Sequence, residues 1–396
     1  MDIVTTARKT SLTGLLDMLN TQADVRYDVV ASAADLEMRH GRLLVRGGAV
    51  DIVDDPTGGL GVASVAAHLA PTAVFDEGVA NRFNIPLKYV RTMRAQVASD
   101  TGHDIPDGFV GGSTLYDQNV NYWLADDPSR RHLVRGFRTD DATQVGIARA
   151  LLSDRYKPID NYDVLLATLD GVRQAGVNVD ITGDLSDRKM CVRLVCPEVS
   201  AYAPELLNGY RSPYSGDAGA DNPTLFAGFV IKNSETGGGA FTIVPRLVVQ
   251  VCSNGLQMTT DAVREVHLGG KLDEGVVRWS DDTNRRELEL VTARTRDAVA
   301  TFLDADYMAD KIAELRLLAD ATVEQPVKAL EKIGRKHNWS DTEQEAILSH
   351  FIGGGDPSAL GVAQAITSFA QSVESPDRAD ELEVGAMAAA QLAAVG

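Results

Sequence analysis

The stretch Ala-Leu-Leu-Ser-Asp-Arg-Tyr-Lys-Pro-Ile-Asp-Asn-Tyr-Asp-Val-Leu, from Ala150 to Leu165, organises the middle of the chain. Its apolar start is typical of a strand that is ending, and the residues after Pro158 have the spacing of a helix. Pro158 favours extended backbone at the residue before it, and Asp160 is of a type that caps helices. The stretch therefore predicts a strand, a polar corner, and a helix from about Asn161 to Ala175.

Further strand candidates lie on both sides of this stretch, and short turn-like sequences join most of them. They are His132–Arg138, Gln144–Leu152, Val177–Leu185, Met190–Cys196, Phe226–Asn233, Phe241–Cys252 and Val263–Leu268. Residues 199–224 are rich in Pro, Gly, Ser and Asn, which predicts a long loop. Strands joined by hairpins around one helix indicate an α+β fold with an antiparallel, hairpin-rich sheet.

Four segments follow from this pattern. Residues 1–70 form a small N-terminal α+β segment, and residues 126–270 form the antiparallel sheet core. Residues 71–125 are helical, and Asn84-Ile85-Pro86 divides two short helices with helix-turn-helix-like spacing. Lys88 and Arg91 on the second helix would face duplex DNA, unless the two helices are only a packed pair. Residues 281–396 are an all-helical region, in which Ser340 and Glu343 have the spacing of a capping box.

Composition limits the classes of function. The 396 residues carry a net charge of −18, and no apolar run approaches the length of a membrane span. Without an export signal, we expect a cytoplasmic protein with no membrane partner. Cys191, Cys196 and Cys252 lie in apolar segments and predict buried free thiols rather than a disulfide framework or a metal site.

Positive charge is concentrated between residues 77 and 157, although the whole chain is acidic. Residues 129–157 contain seven basic and three acidic residues, whereas residues 281–396 contain 11 basic and 21 acidic ones. Guanidinium groups bind phosphate and aromatic rings stack on bases, so this region predicts contacts to nucleic acid. The predicted phosphate contacts are Arg130, Arg131, Arg135, Arg138, Arg155 and Lys157, with Tyr156 stacking on a base. The alternative is that Arg155 forms a structural ion pair with Asp154 or Asp160.

Catalytic patterns are weak. The histidines stand apart from nucleophile motifs, and no spacing pairs two carboxylates for acid–base chemistry. We therefore assign no catalytic residue, no metal and no cofactor, although a site assembled from distant residues would escape this reasoning.

Five stretches stand out together, which are Asn84–Tyr89, Gln118–Leu124, Leu133–Asn161, Asn233–Ala240 and Val251–Leu256, and Ser-Asp-Arg-Tyr and Cys-Ser-Asn-Gly are their most specific pieces. Together they resemble the phage- and plasmid-borne family catalogued as domain of unknown function 932. The resemblance covers roughly Leu15 to Ala319. It implies a mobile-element origin and action inside a bacterial host cell, and it brings no catalytic residue.

Three functions are compatible with these observations. The first is a non-enzymatic phage protein of replication or recombination that binds single-stranded DNA in a groove on the sheet, as a homo-oligomer, with its acidic C-terminal region facing away or binding a host protein. The second is an acidic module that targets a host complex. The third is an enzyme that acts on nucleotides through an unrecognised site.

Overall fold

The structure is a computed structural model that describes residues 3–46, 50–54, 60–64, 67–100, 114–138, 145–156, 159–252, 255–265 and 281–395. The strands in these ranges are β1 (Ala7–Ser11), β2 (Arg26–Ser32), β3 (Leu36–Arg39), β4 (Arg42–Val45), β5 (Val50–Asp54), β6 (Leu60–Ser64), β7 (Ala67–Pro71), β8 (Arg131–Phe137), β9 (Gly146–Ser153), β10 (Asp180–Leu185), β11 (Met190–Tyr202), β12 (Thr224–Asn233), β13 (Phe241–Val249), β14 (Gly255–Gln257) and β15 (Val263–Glu265).

The helices are α1 (Leu12–Asp24), α2 (Ala73–Phe83), α3 (Leu87–Asp100), α4 (Leu115–Asp126), α5 (Asn161–Ala175), α6 (Pro204–Leu207), α7 (Asp281–Phe302), α8 (Ala305–Ala319), α9 (Pro326–Lys336), α10 (Asp341–Gly354), α11 (Ala359–Ala370) and α12 (Pro376–Val395). None of the helices in the described ranges combines the length and the apolar character needed to cross a bilayer.

The strands form two main sheets. One has the order β2-β8-β9-β7-β4-β3, with β7 and β9 parallel; the other has the order β1-β10-β11-β12-β13-β14, with β15 also paired to β13. A separate hairpin joins β5 and β6. The α+β prediction, with sheets followed by a helical C-terminal region, is confirmed.

The expected single sheet over the middle of the chain is instead divided between these two. The β8–β9 hairpin pairs with the N-terminal strands β2 and β7, whereas β10–β13 pair with β1. Hydrophobic alternation identifies a strand but not its partner, because the pairing is decided by contacts between distant parts of the chain.

The helix predicted after Pro158 is α5, and it ends at Gly176, which has a φ of 71°. Asp160 occupies the N-cap position, but its side chain makes no capping bond. The Asn161 N–H instead donates to Glu235 Oε1 at 2.6 Å. The position of the cap was predictable from local sequence, while its hydrogen-bond acceptor comes from a residue 74 positions away.

The predicted loop 199–224 is shorter than expected. Strand β11 continues to Tyr202, α6 and a 3₁₀ turn at Gly219–Asp221 follow, and β12 begins at Thr224. Leu206 and Leu207 are buried in the main core, and their burial gives this segment regular structure despite its turn-rich composition.

The predicted helix pair at residues 77–94 is present as α2 and α3, with Asn84 in the left-handed region at φ 55°. Helix α2 lies directly on β9, since a Cβ added to Gly78 would sit 2.6 Å from the Leu151 carbonyl oxygen. The pair is therefore anchored against the six-stranded sheet.

The helical C-terminal region shares one core with the seven-stranded sheet. The same cluster of buried apolar residues includes Phe229 and Leu247 of the sheet and Leu315 and Ile366 of the helices. The predicted capping box is confirmed at Ser340, which caps α10. Its packing makes the acidic region part of the same hydrophobic unit as the sheet.

Candidate nucleic-acid interface

The corner after β9 contains a buried network of charges. Arg135 is 1% exposed and donates to both carboxylate oxygens of Asp28, at 2.9 and 2.7 Å, and to Asp160 at 2.7 Å. Burial alone would lower the pKa of Arg135, but hydrogen bonding to Asp28 and the nearby carboxylates raise it above its ordinary value. Burial and these internal ion pairs argue against the predicted contact between Arg135 and phosphate.

A second buried pair joins this corner to the loop after β12. Arg149 Nη1 donates to Glu235 Oε2 at 2.6 Å, and the Arg149 guanidinium lies 4.5 Å from the Phe137 ring centroid. Asn233 Nδ2 donates to Asn161 Oδ1 at 2.9 Å. The polar corner is thus a joint between the two sheets and α5, and Glu235 is its central acceptor.

A cavity of about 240 Å³ opens beside this joint and is lined by Arg26, Arg149, Asp160, Asp163 and Glu235, among others. Burial raises the pKa of Asp163, with the charges of Asp160 and Glu235 adding to the effect. The lining carries three carboxylates and two guanidinium groups, so the charges of opposite sign largely cancel and the cavity has no strong preference for an anion or a cation.

Among the described residues, Arg155 forms neither of the ion pairs, with Asp154 or with Asp160, that were its alternative role. Asp160 is bound instead by Arg26 and Arg135, and Arg155 is exposed in the turn after β9. Its backbone N–H donates to Ser153 Oγ at 3.3 Å, which holds the turn and leaves the side chain in solvent.

Arg155 belongs to a group of arginines at one end of the six-stranded sheet, which we call the arginine edge. His132 near the start of β8 pairs in register with Ser153 at the end of β9, so Arg131 and Arg155 lie close to the same end of the hairpin. Arg82, in the last turn of α2, donates from Nε to His132 Nδ1 at 3.3 Å and from Nη2 to the Arg131 carbonyl at 3.4 Å. The arginine edge consists of Arg82, Arg130, Arg131 and Arg155.

The lowered pKa of His132 indicates an excess of positive charge at this edge. The side chain is fully buried, and burial followed by the charges of Arg82 and Arg130 lowers the pKa of His132 to about 4. The opposing charges of Asp154 and Asp127 are too weak to reverse this shift. Within the described ranges, none of the four arginines forms a salt bridge with a carboxylate, so their charge is available to an external anion.

The remaining predicted contacts lie elsewhere. Arg138 is exposed at the opposite end of β8, and its N–H donates to the Val25 carbonyl at 2.9 Å. The Tyr156 hydroxyl is directed to the Ser234 carbonyl at 3.5 Å, and burial raises the pKa of Tyr156. Lys157 lies outside the described residues. The structure therefore brings Arg130, Arg131 and Arg155 together without Arg138.

Of the two residues of the helix pair that were predicted to contact duplex DNA, only one has a side chain without an internal carboxylate partner among the described residues. Lys88 is exposed on α3, whereas Arg91 donates to Glu77 at 2.9 Å. Glu77 also accepts from both terminal nitrogens of Arg188 at 2.5 Å. Arg91 is thus partly neutralised by an internal carboxylate.

Sequence reasoning missed Arg82 as a contact and Glu235 as a structural acceptor. Arg82 lies in the basic segment that begins at residue 77, but only the packing of α2 on β9 brings it to His132. Glu235 lies in the quoted Asn233–Ala240 motif, which was a signal for its importance.

The part of the chain that the structure describes contains no group of three or more His, Cys, Asp or Glu side chains able to hold a metal ion. The three cysteines are buried and form no disulfide, as predicted.

Comparison of the chain with protein-family models, with curated proteins and with solved structures finds no match. The resemblance drawn from the sequence motifs therefore stays a prediction.

Proposed function

We propose that this protein binds single-stranded nucleic acid through the arginine edge and catalyses no reaction. The observation that carries the proposal is the set of four guanidinium groups around a neutral, buried His132, with no carboxylate in salt-bridge contact among the described residues. Guanidinium groups bind phosphate oxygens bidentately, and they keep their charge at any physiological pH. A polyanion would be attracted to this edge and repelled from most of a surface whose net charge is negative.

The route of the strand differs from the groove on the sheet that the sequence suggested. Every residue of β8 from His132 to Phe137 is buried, so that strand offers no open sheet face for a ligand. Arg131, where β8 begins, and Arg155, after β9 has ended, are exposed, and Arg82 near the end of α2 is half-buried beside them. The proposed contact is therefore a short strip across these three ends, long enough for a few phosphates.

Two observations favour single strands over duplex DNA. A helix-turn-helix duplex reader needs a free recognition helix, but Arg91 of α3 is paired with Glu77, which is also held by Arg188. The arginine edge is built from the ends of strands and a helix, and it presents no helix to a major groove. The helix pair is better explained as packing against β9.

Assembly into a homo-oligomer is part of the same proposal. Four guanidinium groups per chain neutralise few phosphates, and several linked copies gain affinity because later contacts become intramolecular. A role in phage replication or recombination in the host cytoplasm rests on the motif resemblance and completes the proposal.

The test is binding of the full-length protein to a labelled oligothymidylate and to a duplex of equal length over a salt series. We expect single-strand affinity to fall steeply with salt, because neutralised phosphates release counterions. The triple variant R130A/R131A/R155A should bind at least about tenfold more weakly, with a salt slope shallower by about 2, since each lost contact removes roughly 0.7 from the slope.

The matched control is R173A/R285A/R335A, which removes three exposed arginines from helices outside the edge. It should leave both affinity and slope unchanged. Equal weakening by the two triple variants, or no binding to either oligonucleotide at low salt, would overturn the proposal. A duplex preference lost on Lys88→Ala would move the site to the helix pair.

A further inference from the structure

A second cavity, of about 480 Å³, lies on the seven-stranded sheet and is unrelated to the arginine edge. Side chains of β10, β11, β12 and β13 form its floor, β1 closes one side, and Gln371 and Glu383 contribute from the helical region. The volume lies within the roughly 300–1,000 Å³ typical of small-molecule sites. The cavity has both a charged part and an apolar part.

Arg246 of β13 is the side chain that marks this cavity as a binding site. It is 7% exposed, and its Nε has no hydrogen-bond partner. The carboxylate that acts on it, Glu383, already accepts from Arg193 at 3.2 and 3.3 Å and from Gln257 at 2.9 Å. No salt bridge to Arg246 is present among the described residues.

Gly255 explains how the guanidinium fits. A Cβ added to Gly255 would lie 1.5 Å from Arg246 Nε and 2.0 Å from Cζ, so only glycine leaves room for this arginine. Gly255 is the last residue of the Cys-Ser-Asn-Gly motif that stood out in the sequence. Gly255 therefore has a physical role, which is to leave room for a buried guanidinium beside the cavity.

The charges around the cavity leave a surplus of positive charge. Two carboxylates, Asp180 and Glu383, line it against four basic side chains, which are Arg8, Lys9, Arg193 and Arg246. Asp184 is shared between Arg8 and Arg193, and Glu383 is taken by Arg193. Burial lowers the pKa of Arg246 to about 10, with Arg193 and Arg8 lowering it and Glu383 opposing them.

The irregular backbone of β1 also places the Lys9 side chain at this cavity. Lys9 has a φ of 50°, and the pairing of β1 with β10 shifts register between Ala7 and Thr10. Irregular pairing of this kind re-aims a side chain and is frequent beside functional sites. Lys9 is exposed at the mouth of the cavity, where its Nζ donates to the Gln371 carbonyl at 3.1 Å.

We infer that this cavity binds a small organic anion, whose phosphate or carboxylate group pairs with Arg246 and Lys9. The apolar or aromatic part of the ligand would pack on the apolar lining, formed by Val195, Pro197, Phe226 and Val248. A buried charge without a partner is costly in a folded protein, and an incoming anion removes that cost.

The test is isothermal titration and thermal unfolding of the full-length protein with inorganic phosphate, AMP, benzoate and, as a ring without an anion, adenosine. We expect at least one of the three anions to bind and to raise the melting temperature, with adenosine without effect. Binding of phosphate and AMP alone assigns a phosphate ligand, whereas binding of benzoate alone assigns a carboxylate. No binding of any anion at millimolar concentration overturns the inference.

The variant Arg246→Gln should weaken anion binding at least tenfold while the ligand-free protein remains as stable as the wild type or more so, because a buried unpaired charge is removed. Lys9→Gln, at an exposed position, should weaken binding without affecting the fold. R130A/R131A/R155A should bind the anion normally, which separates this inference from the proposed function. Unchanged anion binding in both Arg246→Gln and Lys9→Gln would overturn it.

Discussion

Arg149 and Glu235 form a buried ion pair, 2.6 Å from Nη1 to Oε2, that connects the two main sheets. Arg149 lies on β9 of the six-stranded sheet, and Glu235 follows β12 of the seven-stranded sheet. Burial alone would raise the pKa of Glu235, but Arg149 and Arg135 outweigh it and lower the pKa below its ordinary value. Since the same carboxylate accepts from the Asn161 N–H, one side chain holds both sheets and the start of α5.

Replacing Glu235 should therefore be strongly destabilising. Glu235→Gln leaves the Arg149 charge buried without a counter-charge, and breaking a buried pair in this way costs about 3–5 kcal/mol. We expect urea unfolding to show a loss of that size in the free energy of unfolding. The control Glu331→Gln, on an exposed face of α9, should change the unfolding free energy by less than about 0.5 kcal/mol.

A double variant separates charge from packing. R149M/E235Q removes both charges, so it should be less destabilised than the sum of the two single variants. An additive result would show that the two side chains do not interact energetically, contrary to the observed geometry.

Gly78→Ala tests the contact between α2 and β9. Alanine normally stabilises a helix by about 1 kcal/mol relative to glycine. At Gly78 the added Cβ would lie 2.6 Å from the Leu151 oxygen and 2.9 Å from the Leu151 nitrogen, both backbone atoms. We expect a net destabilisation of about 1–3 kcal/mol in chemical denaturation, because the helix must move away from the strand.

Gly353→Ala, in a different helix, is the matched control for Gly78→Ala. Gly353 lies in α10, and the nearest heavy atom to an added Cβ, Pro213 Cβ, is 3.8 Å away. This variant should be neutral or stabilising by up to about 1 kcal/mol. Stabilisation by Gly78→Ala of the same size would show that α2 is free to shift.

His132 predicts a dependence of stability on pH. Its pKa is about 4 in the folded state against 6.5 for an ordinary histidine, so the unfolded chain binds the extra proton between these values. Stability therefore falls as the pH drops from about 6.5 to about 4. We expect an NMR titration of the His132 ring to show a midpoint near 4, and His132→Gln to remove part of the stability loss in this window.

Arg82→Gln tests the cause of the His132 shift. Removing the guanidinium that contacts Nδ1 should raise the pKa of His132, because burial then acts with less help from neighbouring charge. A His132 midpoint that stays the same in this variant would mean that the arginine edge does not carry the excess positive charge assigned to it.

Asp380 on α12 tests how the acidic helical region is attached. It is 3% exposed and forms ion pairs with Lys189, directly before β11, at 2.6 Å and with Lys232 of β12 at 2.7 Å. Burial would raise the pKa of Asp380, but these two lysines lower it well below its ordinary value. Its contribution to stability is present above the ordinary aspartate pKa and is lost as the pH falls through the folded value.

Asp380→Asn should therefore cost about 1.5–3 kcal/mol at pH 7, because the half-buried Lys189 and Lys232 lose their counter-charge. The difference from the wild type should shrink in strongly acidic buffer, where the wild-type carboxylate is also protonated. Thermal unfolding across a pH series measures both effects. The control is Glu381→Gln, at an exposed position of the same helix, which should change little.

The shared core predicts the effect of truncation. Deletion of residues 281–396 would expose Phe229 and Leu247, which pack with residues of the helices, and would remove the ion-pair partner of Lys189. We expect the truncated chain to be insoluble or unfolded in circular dichroism, and a soluble, cooperatively folding product would contradict this.

Local sequence determined the elements and the chemistry available to them. Apolar alternation and helical spacing placed β8, β9 and α5 within a few residues, and Asn84 and Ser340 marked a helix end and a helix start correctly, because backbone preferences and capping bonds act between near neighbours. The same reasoning identified where positive charge collects, and Arg130, Arg131 and Arg155 do lie at one edge.

Only the tertiary structure decided which of those charges remain available and which strands pair. Arg135 and Arg155 are equally basic in sequence, yet Arg135 is buried among Asp28, Asp160 and the Glu235 carbonyl while Arg155 is in solvent. The partners of Arg135 lie 107, 25 and 100 residues away. A charge's partner is set by the packing of distant segments, and this long-range packing cannot be read from the spacing of residues along the chain.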